Sequence, residues 1–406
     1  MTAAPATRRA KPPRPAVVHS TPTRTLLRDP LLRAWGAFIV LFPMYILPSG
    51  LPQPADAVLL VLMPFVLQRW SGRLGKPQRR AVFALLAFAA YTTISAVVWS
   101  LWLGTISINL RIGFLLSPVF YIYNALVFVM GLALYQLRGP RFIEITVRAA
   151  VVSVLIQVPL SFVFGHHSLL RSTGMFNNPN QFGYYAVLSA SIIVLGQRRA
   201  GLTALHSAVG VVACSYLALI SASKAGLAAT ALILIVSLIT RIRTVIFASV
   251  IAAVALLAID PQGDTVNRTL ERINTDKSYD FAEERGYDRI AQHPEHWVLG
   301  AGEGAYYRYA DTGKIGEHEL HSSAGTIFFC YGIVGSAVFL WFFFQLVRIA
   351  KLRQMIMLGP VVAYGLSHQG MRVTLLWIFL ALFVSLADST LLARGPPRSV
   401  KRAPRA

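Results

Sequence analysis

The chain has 406 residues, 55% of them hydrophobic and 14% charged, with a mean hydropathy of +0.57. An ordinary soluble domain carries about 25% charged residues, so this composition excludes a disordered chain, a fibre, a disulfide scaffold and nearly every soluble fold. The net charge of +21 does not point to nucleic acid, because the lysines and arginines sit in small groups between apolar runs and not on one patch.

Residues 1–33 are basic and proline-rich, without the apolar core of a cleavable signal peptide. Apolar runs long enough to cross a bilayer then recur from Trp35 to Leu392. Hydropathy predicts twelve spans, at 34–50, 55–69, 81–103, 112–136, 145–164, 181–197, 203–221, 225–240, 244–260, 322–347, 354–368 and 373–393. The fold class is therefore all-α, a polytopic helical membrane protein. It divides into a basic tail (1–33), nine spans (34–260), one large polar loop (261–321), three spans (322–393) and a second basic tail (394–406). Cys214 and Cys330 both fall inside apolar spans, where they read as small packing residues and not as a disulfide or a zinc site.

The distribution of charge orients these spans. With the N-terminus cytoplasmic, 27 of the 38 lysines and arginines lie on inner segments and 11 on outer ones. Thirteen of the 17 acidic residues lie between Asp260 and Glu319, which gives the outer loop a formal charge of −6. Its stretch 264–297 has the polar, turn-punctuated texture of one or two short helices, ended or kinked by Pro294. Its aromatic residues favour an ordered element packed on the membrane domain.

Ionisable residues at the membrane edge are costly and therefore mark candidate sites. On the outer side these are Arg111, Arg171, Lys224 and Arg372. Arg111 and Arg372 read first as snorkelling interfacial residues. Lys224, in SASKAG, lies between two apolar spans joined by almost no loop. Arg171 opens RSTGMFNNPNQFGY, where Gly174, Pro179 and Asn180 exclude a regular helix and Asn180 is placed to cap the sixth span. A capping turn accounts for the asparagines but not for the arginine, whose guanidinium could grip a phosphate with two parallel hydrogen bonds.

In the loop, Arg285 and Arg289 of ERGYDRI are four residues apart, on one face of a helix. They could bind a ligand or pair locally with Glu283, Glu284 or Asp288. GAGEG at 300–304 reads as a tight turn, because no strand precedes it as in a phosphate-binding loop. His321, at the start of the tenth span, could act as a base near the membrane surface or simply cap the helix. The pairs His293/His296 and His318/His321 share an i, i+3 spacing, yet Pro294 interrupts the first and no metalloprotease-type motif frames either, so no metal is assigned. Cations thus gather on the outer face at headgroup depth, without a nucleotide-binding signature. That combination points to an outer-leaflet transferase whose donor is a lipid diphosphate: fixed cations stabilise the leaving diphosphate, and His321 or a loop carboxylate serves as base.

The order of RSTGMFNNPNQFGYY, SASKAG, ERGYDRI, HPEHWVLGAGEGAYY and ELHSSAGTIFFCYGIVGS, over about residues 170–340, resembles the O-antigen ligase and O-antigen polymerase superfamily. The resemblance implies a bacterial inner-membrane protein with cytoplasmic termini, a periplasmic loop and a helical bundle like those of other lipid-dependent (GT-C-like) glycosyltransferases. The implied reaction moves a glycan from undecaprenyl diphosphate without a cofactor. By this likeness Arg171, Lys224 and either Arg285 or Arg289 hold the diphosphate, and His321 activates the acceptor hydroxyl. The family's histidine is often followed by asparagine, where this chain has Ser322. The acceptor is lipid A–core for a ligase, which the loop and histidine favour, or a second lipid-linked repeat for a polymerase. A polysaccharide transporter or flippase is the reading from another class. It would call for internal repeats and mid-membrane ionisable residues, and the sequence has neither.

Overall fold

The computed structural model describes residues 28–48, 51–103, 108–164, 166–168, 171–240, 242–259, 264–274, 280–309 and 318–387. The C-terminal tail and all but 28–33 of the N-terminal tail lie outside them. The described chain is almost entirely helical. In order the helices are α1 (Pro30–Leu41), α2 (Pro54–Arg69), α3 (Lys76–Leu103), α4 (Ile108–Arg138), α5 (Pro140–Val163), α6 (Pro179–Gly196), α7 (Ala204–Ser221), α8 (Lys224–Thr240) and α9 (Ile242–Ile259). They continue with α10 (Asp264–Asn274), α11 (Phe281–Arg285), α12 (Asp288–Gln292), α13 (Ser323–Val347), α14 (Leu352–Ser367) and α15 (Thr374–Ala387). A two-stranded hairpin, β1 (His166–Ser168) and β2 (Arg171–Ser172), links α5 to α6.

A helix stands at each of the twelve apolar stretches. The sequence explains where many of them start. Asp29 accepts from the Leu31 amide ahead of Pro30, Asn178 caps α6 ahead of Pro179, Thr203 caps α7, and Ser322 caps α13. The cap of α6 is thus Asn178 and not Asn180. Among the described residues five helices are long and apolar enough to cross a membrane: α3, α4 from Gly113, α5, α7 and α13. Their outer faces carry bare apolar side chains, such as Phe83 (63% exposed), Trp102 (75%) and Leu340 (63%), a surface suited to lipid and not to water. The centre is different. α6 and α15 are buried on nearly all sides and are apolar all round.

The helices run back and forth between two ends of a bundle. Arg138, at the end of α4, pairs with Asp29 at the start of α1, and Trp70 beyond α2 donates to Gln136 Oε1 at 2.6 Å. α1 and α5 run parallel, joined by Trp35 Nε1 donating to Thr146 Oγ1 at 2.9 Å. The end where α6, α8, α13 and α15 begin carries the candidate site.

There the stretch 297–304, whose GAGEG at 300–304 was expected to be a tight turn, is more than a surface turn. Its backbone enters the bundle beside a break in α13 at Gly332 (φ 63°). Trp297 and Val298 carbonyls accept from Ile333 and Val334 at 2.7 and 3.2 Å, while the Ala301 and Gly302 amides donate to Phe329 and Cys330 at 2.8 and 2.9 Å. A regular helix would have joined Ile333 to Phe329 and Val334 to Cys330, so the inserted loop supplies both partners of each interrupted bond. Only glycine permits this approach: a Cβ on Gly300 would lie 2.3 Å from the Cys330 carbonyl oxygen, and one on Gly332 2.3 Å from that of Val298.

Candidate active site

Four of the five candidate residues line one polar cavity of about 340 Å³: Arg171, Lys224, Arg285 and His321. They come from four separate segments. Arg171 sits on β2, and its position is fixed locally: Nε donates to the Ser221 carbonyl at 3.2 Å and Nη2 to Asn180 Oδ1 at 2.7 Å. The Asn-Pro-Asn turn therefore both starts α6, through Asn178, and orients the arginine, through Asn180.

Lys224 is the first residue of α8. The chain leaves α7 through Ala222 in the left-handed region (φ 45°), and Ser223 Oγ then accepts from the Gly226 amide at 3.3 Å. This two-residue link explains the absence of a loop in SASKAG and sets the exposed lysine at the cavity mouth. The first turns of α6 and α8 both line the cavity, and a helix start presents backbone N–H groups and a partial positive charge to an anion.

Arg285 ends α11, and Gly286 in the left-handed region terminates that helix. Its Nη1 lies 3.3 Å from His368 Nδ1, and its carbonyl accepts from the His321 amide at 3.2 Å. Arginine and histidine are thus bound to one another through the backbone. Ser322, at the position following the histidine, is fully buried; its Oγ accepts from the Gly325 amide at 3.1 Å and meets Tyr287 Oη at 2.6 Å. Its task is to start α13 and anchor the loop to it.

His321 is exposed at the rim. Desolvation by the atoms crowded round it is the largest effect pulling its pKa below the usual imidazole value. Arg285 and His318 push the same way, and Glu319 and Glu284 oppose them. The net shift favours the neutral ring, the form able to accept a proton.

Arg289 is placed elsewhere. It is 1% exposed, donates through Nη1 to the His318 carbonyl at 3.1 Å, and stacks against Tyr309 and Phe329 with its guanidinium carbon 5.3 and 5.7 Å from their ring centres. It holds the loop together and does not line the cavity. Of the two arginines of ERGYDRI, Arg285 is the one among the lining residues of the cavity. Of the four histidines, His293 and His296 join Glu295 in a cluster whose ligand atoms lie within 4.8 Å of one another. His293 Nδ1 meets Glu295 at 2.9 Å and His296 Nε2 meets Tyr309 Oη at 3.0 Å, while His293 Nε2 is buried without a hydrogen-bond partner.

The chain matches no family model, and no curated protein matches it.

The sequence reading missed several cavity residues. His368 closes the eleventh apolar stretch on the same side as Lys224, so the rule that flagged edge cations applied to it as well. Tyr184 and Tyr364 stack at 4.2 Å, and Tyr364 also meets His368 at 4.9 Å; nothing in their helical context marks them. Glu303, inside GAGEG, is a buried carboxylate behind the site. It accepts from Tyr121 at 2.9 Å, from Tyr331 at 2.6 Å and from Arg372 Nε at 3.0 Å, and Arg372 also reaches Glu319 at 2.8 Å. Arg372, expected to snorkel, is a bracket between the inserted loop and the cavity wall. The side chain of Arg111 lies outside the described residues.

Beside the polar cavity lies a second, apolar one of about 430 Å³ between α13, α14 and α15. Tyr184 lines both.

Proposed function

We propose that this chain is a glycan transferase of the O-antigen ligase type, taking its donor glycan from undecaprenyl diphosphate. The observation that carries the reading is the convergence of Arg171, Lys224, Arg285 and His321 on one cavity. A site with cations on several walls suits a diphosphate. The adjoining apolar cavity suits the isoprenoid tail of the same molecule, and Tyr184 stands at the junction of head and tail. In this proposal all twelve apolar helices lie in the bacterial inner membrane in a GT-C-like bundle, the cavity faces the periplasm, and both termini are cytoplasmic.

The chemistry follows from the groups present. The acceptor oxygen bonds to the sugar's anomeric carbon as the bond from that carbon to the diphosphate oxygen breaks. The acceptor's proton passes to the neutral His321 ring. The electron pair of the broken bond stays on the diphosphate, whose developing charge Arg171, Lys224 and Arg285 balance. Arg171 is held by two hydrogen bonds before substrate arrives, so little reorganisation is needed when charge develops. Lipid A–core is the acceptor for a ligase, and a second lipid-linked repeat is the acceptor for a polymerase.

The test is a gel of surface glycans, with the lipid-linked pool extracted alongside, from a strain lacking the gene and complemented with wild type or with R171A, K224A, R285A or H321A. Long glycans accumulating on undecaprenyl diphosphate over bare lipid A–core are expected for the ligase. Single repeats piling up on the lipid would assign the polymerase. Wild-type glycans from all four variants at normal membrane abundance would overturn the site.

A further inference from the structure

A third cavity, of about 520 Å³, lies at the opposite end of the bundle, where α1, α5 and α7 begin. Its composition is polarised. Arg33, Arg148 and His206 contribute the polar groups, and Gly36, Val40, Val152 and Leu155 are among an otherwise apolar lining.

Height along the helices orders these residues. The parallel pairing of α1 with α5 sets Gly36 against Ile145 and Ala149, at 3.2 and 4.0 Å from the position of a Cβ. Arg33 therefore lies less than one turn before that contact, and Arg148 lies beside it. Val40 and Leu155 are each seven residues beyond the arginine on their own helix, about 10 Å further along the axis. The cavity is thus a groove with a cationic foot and an apolar shaft. α1 is 12 residues long, about 18 Å, and the lining of the cavity reaches its last turn at Val40. Charge complementarity selects the occupant. Arg148 is partly neutralised by Glu144 at 3.1 Å, whereas Arg33 is exposed and the lining holds no carboxylate among the described residues. The foot is net positive, which suits a phosphodiester, and the shaft fits an acyl chain.

We propose that the groove between α1 and α5 is a binding site for one anionic phospholipid, on the membrane face opposite the transfer cavity. The site stands apart from the transfer chemistry and does not depend on it. One arginine close to an anionic lipid is worth on the order of 1 kcal/mol, about fivefold in affinity. Arg33 lies on the exposed side of α1, so its replacement leaves the buried packing intact.

The full chain, purified in detergent, is titrated with phosphatidylglycerol or phosphatidylcholine and read by native mass spectrometry. The expected result is one retained phosphatidylglycerol, at least fivefold preferred over phosphatidylcholine. R33Q should weaken retention about fivefold. A37W, which fills the exposed lining of the groove without altering charge, should weaken it as much or more. R199Q removes an exposed cation from the same end of the bundle, outside the groove, and should leave retention unchanged. Equal retention of the two lipids, equal losses from R33Q and R199Q, or full retention by A37W would each overturn the site.

Discussion

Replacing Arg372 with glutamine should damage this protein more than replacing its partner Glu303. The Glu303 carboxylate is fully buried and accepts from two tyrosine hydroxyls as well as from the guanidinium. With Arg372 gone, the charge remains in the interior with only neutral donors, and an uncompensated buried charge costs about 3–5 kcal/mol. The converse change is milder. In Glu303→Gln the amide oxygen still accepts from Tyr121 and Tyr331, and Arg372, 26% exposed, keeps Glu319 at 2.8 Å. That variant forfeits charge-assisted hydrogen bonds worth about 1.5–3 kcal/mol. The double variant has no buried charge and should be more stable than Arg372→Gln alone. Thermal unfolding of the purified full chain in detergent, followed by tryptophan fluorescence, orders the variants by Tm. Wild type should be highest, Glu303→Gln next and Arg372→Gln lowest, with the double variant above Arg372→Gln. A Glu303→Gln midpoint at or below that of Arg372→Gln would refute the buried-charge account.

Gly332→Ala and Gly300→Ala should both lower the amount of folded protein recovered from membranes, since each Cβ meets a carbonyl at 2.3 Å; Gly359→Ala, with nothing within 4 Å of its Cβ, should be neutral or slightly stabilising. If His321 is the base, transfer rises with pH as the ring deprotonates, with a midpoint below the usual imidazole pKa. Glu319→Gln and Glu284→Gln each remove a carboxylate that raises this pKa, so each should move the midpoint to still lower pH in a rate–pH profile. Arg289→Met should lower the thermal midpoint while leaving kcat of the folded fraction close to wild type, whereas Arg171→Lys, which loses the paired hydrogen bonds to Ser221 and Asn180, should lower kcat with little change in Tm. Cys214 and Cys330 are both buried and free, and a maleimide should label neither until the protein is denatured.

The helices were legible in the sequence because a long apolar run can satisfy its backbone in lipid only as a helix, and Asp29-Pro30, Asn178-Pro179 and Thr203 each carry their own start signal. Arg171, Lys224 and His321 could be found because a charge at a membrane edge needs a reason. What stayed hidden depends on packing between distant segments. Arg285 and Arg289 share one helical face in sequence, yet Gly286 ends α11 between them and sends one to the cavity and the other into an aromatic nest. GAGEG was indistinguishable from a surface turn, because its partner is a break in a helix that begins about 20 residues later. Glu303 was obscured for the same reason: its donors come from α4, α13 and the turn before α15.

The break in α13 has a bearing on biogenesis. As an uninterrupted helix, α13 satisfies its own backbone and can enter the bilayer alone. In its native form Phe329, Cys330, Ile333 and Val334 depend on residues 297–302 for four backbone hydrogen bonds. A chain whose α13 is inserted but whose loop 297–304 has not yet docked must therefore hold the helix straight. Docking then exchanges two bonds within the helix for four across the interface and buries Glu303 against Arg372 at the same time. Loop 297–304 is made before α13, so both pieces are present once α13 has been inserted, but Arg372 follows later. Maturation of the cavity wall thus waits for the last helices, and a chain truncated after α13 should reach the membrane with its loop still open to protease.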